Sequence, residues 1–438
     1  MTTMQRTNID LLNRTLFIHD NLPVLQGIDS GSVALIATDP PFNKGVRAFE
    51  GLVTAGMDAK GKKVSYKDVW NWSDVQESWV SSIREDHPKL HAVIQAANMA
   101  AGEDMGAFLC WLGVRLLEMH RILRDDGSIY LHIDHTAHAW VKAMMDAIFG
   151  RGNFKNEIVW KRNNANNAGT KKLGTITDSI LFYVKSDAAI FNQLYYTQWS
   201  EAQIQRYKAD EQGRMYKTAD LTAPGAYTAR QFTWRGATPP ATRSWAYDES
   251  TLESLYADGR ILLTRHGKPR LDGLIRYLDE MPSGGKIQNL WDDIARVGNT
   301  SAERTGYPTQ KPLALYERII GISSNEDDLV LDPFAGCATT AIAAERLGRG
   351  WIAIDINTEA QDVIRARLEK EAQLPTNAQS WDRAVNIMTT PPERTDDGQA
   401  AAPELTLVSP QPRAPRLTAR ELRERLVERD GMLSLIHI

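Results

Sequence analysis

The stretch from Leu329 to Ile354 constrains the fold more than any other part of the chain. Leu329–Leu331 is a short apolar run that stops at Asp332-Pro333. A turn holding Gly336 follows, then helical spacing over Thr339–Leu347, then a second apolar run, Trp351–Ile354. Short apolar runs joined by a helix are the pattern of parallel strands, because a parallel pair needs a crossover and the crossover covers the sheet. A layered α/β domain is therefore expected, and the rest of the chain agrees. Further strands are read at Ser32–Thr38, Ser128–Ile133, Glu157–Trp160 and Ser179–Val184. Helices are read near Val75–Arg84 and at Gly106–His120, Ala137–Phe149 and Pro312–Ser323. Apart from that first helix, residues 43–105 are polar and rich in Gly, Lys and Trp, and read as a long active-site loop rather than core.

With 438 residues and 42% apolar content, the chain has room for two or three domains and a real core. The α/β alternation is expected in two halves, 1–185 and 291–375, around an insert at 186–290. Residues 376–416 are expected to form a flexible linker, on the strength of a Pro-, Ala- and Thr-rich composition over 390–416. A helical tail over 417–438 opens with the capping box Thr418-Ala419-Arg420-Glu421. Its abrupt apolar end, Leu433–Ile438, reads as a domain broken off. The net charge of -4 argues against a globally basic nucleic-acid binder, so any such role rests on local patches. Two distant cysteines, Cys110 and Cys337, fit a reducing cytoplasm and form no metal-ligand pattern. Met1–Asp10 lacks an apolar signal core, and no run is long enough to span a membrane.

The turn after Leu331 has the chemistry to hold a nucleoside. Small residues let a ligand approach the backbone at Gly336, and the helix start at Thr339-Thr340 offers backbone N–H donors. Asp355, at the end of the next strand, can accept hydrogen bonds from both hydroxyls of a ribose. An ordinary βα turn would present the same residues. Neither GxGxxG nor GxxxxGK[ST] is present, which disfavours a dinucleotide and a P-loop.

Ser32–Thr38 ends in Asp39-Pro40-Pro41-Phe42. An exocyclic amine on a nucleobase is a poor nucleophile because its lone pair is delocalised into the ring. The Asp39 carboxylate and the Pro40 carbonyl can each accept one of its N–H bonds, which localises that pair on nitrogen. Pro40 and Pro41 hold the carbonyl through their fixed φ, and Phe42 offers a face to an extruded base. A turn with a buried Phe is the alternative.

Taken together, these segments resemble the amino-methylating DNA methyltransferases that use S-adenosyl-L-methionine, in the motif order of the beta group. Asp39–Phe42 resembles the family's catalytic motif, Gly306-Tyr307-Pro308-Thr309-Gln310-Lys311-Pro312 a cofactor-contacting segment, and Asp332-Pro333-Phe334-Ala335-Gly336 its cofactor turn. Asp126–Asp134 and Asn156–Arg162 resemble further family strands, and the likeness runs over about residues 9–370. The resemblance implies a Rossmann-like methyltransferase sheet with circularly permuted motif order and an inserted target-recognition region. It implies cofactor contacts from Thr309, Lys311, Asp332, Pro333, Phe334, Gly336, Thr339 and Asp355. The Asp at position 39 implies the N6 amine of adenine in duplex DNA, reached by base flipping, with direct methyl transfer. Cysteine 337 and Ala338 depart modestly from the family's glycine-rich pattern.

Residues 151–290 carry an excess of basic over acidic groups. Lys161, Arg162, Lys171 and Lys172 cluster in an Asn-rich stretch, and Arg230, Trp234, Arg235 and Arg243 interleave charge with aromatic rings. These are the types that contact phosphates and bases, although any one of them can equally be a solvated or core residue. His132 and His135 flank Asp134 but lack a third ligand at metal spacing, so they are read as structural and no metal is expected. Other readings stay open: methylation of the cytosine amine, of RNA or of a protein amide, or service as the modification or specificity subunit of a restriction complex. The resemblance allows a homodimer or a cognate restriction nuclease as partner, and no membrane partner.

Overall fold

The computed structural model describes residues 13–43, 55–57, 63–64, 69–164, 173–282, 284–298, 301–305, 307, 310–371 and 385–395. These fall into two units, one from the residues up to Gln193 and from Gln288 onward, the other Leu194–Ile287.

In chain order the first unit contains β1 (Thr15–Ile18), α1 (Asn21–Gly27), β2 (Val33–Thr38), α2 (Glu77–Asp86), α3 (Pro88–Ala100) and α4 (Glu103–Ile122). Next come β3 (Leu123–Ile133), α5 (His138–Phe149), β4 (Phe154–Lys161) and β5 (Thr177–Val184). After Gln288 follow β6 (Leu290–Trp291), α6 (Leu313–Ser323), β7 (Leu329–Asp332), α7 (Thr339–Arg346), β8 (Gly350–Asp355), α8 (Glu359–Glu371) and β9 (Asn386–Met388). The strands form one nine-stranded sheet in the order β6-β4-β5-β3-β2-β7-β8-β1-β9. Every pair is parallel except those of β5, which runs against β3 and β4. β2 and β7 lie side by side, Leu35 beside Val330 and Ile36 beside Leu331. The core packs Ile36, Ile129, Leu131 and Leu331 of the sheet against Phe108, Leu112, Leu116, Val141 and Met145 of the helices.

Local chemistry explains the elements. All six residues of β2 are buried, as a central parallel strand requires. Asp20 caps α1 by accepting from the Leu22 N–H at 2.9 Å. Helix α4 carries Glu103 and Asp104 in its first turn and Arg121 in its last, matching the helix dipole at both ends.

Two expectations are corrected. The helix read near Val75–Arg84 is α2, but residues 88–100 are not part of an active-site loop: they form helix α3. Ile83, Leu90, Ile94 and Ala97 are buried in the core, and the last three recur at helical spacing on a largely polar sequence. Nor is all of 376–416 a linker. β9 pairs with β1, and the Thr395 backbone N–H and hydroxyl donate to Asp29 at 2.7 and 2.5 Å. Only three residues of this edge strand pair, too few for a strand pattern to show. The expected tail helix lies outside the described residues.

The second unit holds a four-stranded antiparallel sheet: Ile261–Leu263, Pro269–Tyr277, Met215–Ala219 and Lys208–Ala209. Its own core is Leu221, Trp234, Trp245, Leu252, Ile261 and Leu274. No described helix is long and apolar enough to cross a membrane.

Candidate active site

Strand direction gathers the polar residues. β2, β3, β4, β7 and β8 share one direction, so Asp39, His132, Lys161, Arg162, Asp332 and Asp355 all sit at the carboxyl edge of the sheet. Antiparallel β5 brings its first residues, Thr177 and Asp178, to the same edge. In open α/β sheets this edge is where ligands bind.

Asp39 belongs to a line of five ionisable groups with His132 at its centre. The Lys311 ammonium pairs with Oδ2 of Asp39. Nδ1 of His132 lies 3.2 Å from Oδ1 of Asp39, and its Nε2 lies 3.2 Å from Oδ2 of Asp178. Arg162 Nε then meets Oδ1 of Asp178 at 3.0 Å. The contacts of His132 and of Arg162 Nε fall off the N–H axis, so they are close electrostatic contacts rather than aligned hydrogen bonds. The His132 side chain is only 3% exposed. Phe42 and Trp160 meet its ring edge-on at centroid distances of 5.6 and 5.9 Å. The Trp160 indole N–H donates to the Ile294 carbonyl at 2.7 Å, which fixes that wall. Burial pushes the Asp178 carboxyl up, but His132, Arg162 and Lys311 outweigh it and hold it below the ordinary carboxylate range. The structural reading of His132 is thus corrected: it stands between two carboxylates, one of them Asp39. Its partner at 178 comes from a distant strand, so no sequence spacing could flag it.

The turn after β7 lies beside this line. Gly336 adopts φ +54°, and an added Cβ would meet the Tyr307 ring at 3.2 Å. The Gly336 N–H donates to Oδ2 of Asp355 at 2.8 Å, and the Asn357 N–H donates to its Oδ1 at 2.8 Å. Ile356 follows, 69% exposed, an apolar side chain beside that carboxylate. The Pro333 carbonyl accepts from the Asn21 amide at 2.8 Å, Asn21 accepts from Arg115 at 2.6 Å, and Trp111 packs on Phe334 with centroids 5.7 Å apart. The turn is therefore braced from behind.

Three residues expected to contact the cofactor have partners within the chain. Asp332 is buried with both oxygens occupied: it accepts from Thr38 at 2.7 Å, Thr340 at 2.6 Å and the Phe334 N–H at 3.1 Å. It staples β2, β7 and α7 together rather than facing a ligand. Burial, the dominant cause, pushes its carboxyl up to about 6. Thr339 is buried too, its hydroxyl accepting from Arg367 at 2.9 Å. Lys311 pairs with the Asp39 carboxylate. Thr309 lies outside the described residues.

A pocket of about 310 Å³ opens at the ends of β4 and β6, lined by Lys161, Arg162, Asn163, Asn164, Asp292, Ala295 and Arg296. Lys161 and Arg296 have no charged partner among the described residues, so the lining is net positive. Lys171 and Lys172 lie outside those residues. In the second unit the expected basic–aromatic interleaving is largely structural. Trp234 is 2% exposed in the core, Arg235 pairs with Glu253 at 2.7 Å, and Arg243 pairs with Asp220 at 2.7 Å. No group of side chains able to hold a metal ion occurs among the described residues.

Sheet order, the reversed strand β5 and a nucleoside turn beside an Asp-Pro-Pro-Phe strand end define the chain as a Rossmann-like α/β protein of the methyltransferase class. A family model described as DNA methylase matches residues 33–366, and the chain belongs to that family. It is 35% identical over 263 residues to the Type II methyltransferase M.EcaI of Enterobacter cloacae, covering 60% of this chain and 57% of that one. It is 27% identical to the Type III restriction-modification enzyme StyLTI Mod subunit of Salmonella typhimurium, over 75% of this chain and 49% of that one. It is 26% identical to the DNA adenine methyltransferase YhdJ of Escherichia coli, over 79% of each chain. The chain thus spans about half the length of the first two relatives.

Proposed function

We propose that the protein is a DNA methyltransferase that moves the methyl group of S-adenosyl-L-methionine to the N6 amine of adenine in duplex DNA. The observation that carries this reading is the adjacency of β2 and β7. Asp39-Pro40 and the Asp332–Gly336 turn sit at neighbouring strand ends, although 294 positions separate Thr38 from Asp332. We read that order, catalytic strand first and cofactor strand last, as a circular permutation.

The turn fits the cofactor. Gly336 exposes backbone, Asp355 can accept from ribose hydroxyls, and Ile356 gives an apolar surface for the adenine ring. The bound cofactor supplies a methyl group on a positively charged sulfur. Oδ2 of Asp39 and the Pro40 carbonyl each accept one N–H of an amine that enters between them. Its nitrogen lone pair would then form the new N–C bond with the methyl group the cofactor supplies, the C–S bond breaking with its electron pair going to sulfur. The surplus proton leaves through Asp39 to water, and no covalent bond to the protein forms. Preorganised acceptors of this kind act where charge develops. Half-buried Phe42 offers its ring to the extruded base.

Leu194–Ile287 is our candidate for target recognition, being larger than a connecting loop needs. Lys161 is the favoured DNA contact, and Arg162 and Arg235 are weaker ones because Asp178 and Glu253 already hold them. A restriction nuclease as partner is suggested by the Mod subunit relative, and co-purification tests it. Two isolated buried thiols, Cys110 and Cys337, suit the cytoplasm.

The deciding experiment incubates the chain with tritiated S-adenosylmethionine and mixed-sequence duplex DNA, then separates nucleosides. Label in 6-methyladenine is expected. Label in 4-methylcytosine would overturn the choice of base, and no label in DNA would overturn the substrate. Asp39→Ala should abolish transfer while leaving cofactor affinity within about twofold. A fully active variant would remove Asp39 from the mechanism.

A further inference from the structure

We propose that His132 is the positioning residue of the reaction: fixed from behind by Asp178, it sets the orientation of the Asp39 carboxylate that receives the target amine. This rests on the role given to Asp39 above. Both oxygens of Asp39 already face a nitrogen base, His132 at Oδ1 and Lys311 at Oδ2. An incoming amine needs one of them, so one partner must yield. Lys311 ends a flexible four-carbon chain and can swing aside. His132 cannot. Its ring is buried, bounded by Phe42 and by Trp160, which is itself pinned to the Ile294 carbonyl. Oδ1 therefore stays with His132, and Oδ2 is the oxygen that turns to the amine.

The support behind the ring is built. Asp178 lies 3.2 Å from Nε2, and Arg162 holds Asp178 at 3.0 Å. Lys311, Asp39, His132, Asp178 and Arg162 thus form one line of alternating groups drawn from five separate segments. Enclosing an imidazole and a carboxylate this deeply costs desolvation that apolar side chains of the same volume would avoid. Packing alone does not call for Asp178, whereas aiming an imidazole does, as where a carboxylate orients a catalytic or metal-bound histidine.

His132→Leu removes both ring nitrogens, while His132→Asn keeps an N–H donor near the Nδ1 position that faces Asp39. For Leu, kcat should fall by about 10- to 100-fold, with KM for DNA and for S-adenosylmethionine within about twofold. Asn should recover most of the loss. In parallel, the imidazole ¹⁵N resonances of His132, identified by their disappearance in His132→Asn, should move in Asp39→Asn and in Asp178→Asn without DNA present. Unmoved resonances in Asp39→Asn overturn the proposal, as do equal kcat losses in the Leu and Asn variants matched by equal falls in Tm. Failure of the reaction itself shows separately, as wild type that methylates no base, and the resonance test stands without it.

Discussion

Asp332→Asn removes an ionisable group from the middle of the sheet edge, and its effect on stability can be worked out beforehand. The carboxyl is fully enclosed, and burial lifts it from 3.8 to about 6 despite donors from Thr340, Thr38 and the Phe334 backbone. At about 1.4 kcal/mol for each tenfold change, ionised Asp332 costs the folded state roughly 3 kcal/mol. Because the folded value is the higher one, its stabilising contribution is complete below the unfolded value and is lost as pH rises through about 6. About half of it, ~1.4 kcal/mol, disappears between roughly pH 5 and 7.5. Asn cannot ionise, and its amide keeps one acceptor for Thr38 or Thr340. Urea unfolding of both proteins at those two pH values gives the comparison. Wild type should lose about 1.4 kcal/mol relative to the variant on going to the higher pH. Parallel curves would mean that Asp332 does not titrate in this window and would refute the argument from burial.

Asp355→Asn removes the charge expected to accept from ribose and should weaken S-adenosylmethionine binding by about 10- to 100-fold in calorimetry, the worth of a charged hydrogen bond; Asp332→Asn should change it far less. Gly336→Ala forces a side chain into φ +54° against the Tyr307 ring. It should cost about 1–2 kcal/mol in urea unfolding and lower cofactor affinity, and an unchanged affinity would place the ligand away from this turn. Lys161→Gln with Arg296→Gln should weaken DNA binding for every sequence and lower the slope of log K against log salt by about one per lost phosphate contact. An unchanged slope would show that the pocket at the ends of β4 and β6 does not meet the backbone.

The sequence by itself determined the local pieces. The apolar runs at Ser32–Thr38 and Leu329–Leu331, the Asp39-Pro40-Pro41-Phe42 strand end, the Gly336 turn and helix α4 are all written in consecutive residues, because periodicity and turn chemistry are local properties. The order of motifs along the chain was enough to point to amino-methylation. What only the tertiary structure decided is which of these groups face a ligand and which face one another. Asp332 belongs to a motif that reads as a cofactor contact, yet Thr38 and Thr340 occupy it. Trp234 and Arg235 read as a nucleic-acid pair, yet one is core and the other is held by Glu253. His132 reads as an ordinary strand residue, yet it stands between Asp39 and Asp178. Those roles depend on strand order and on the reversal of β5, which are set by pairing between residues far apart in the chain, and no local pattern encodes them.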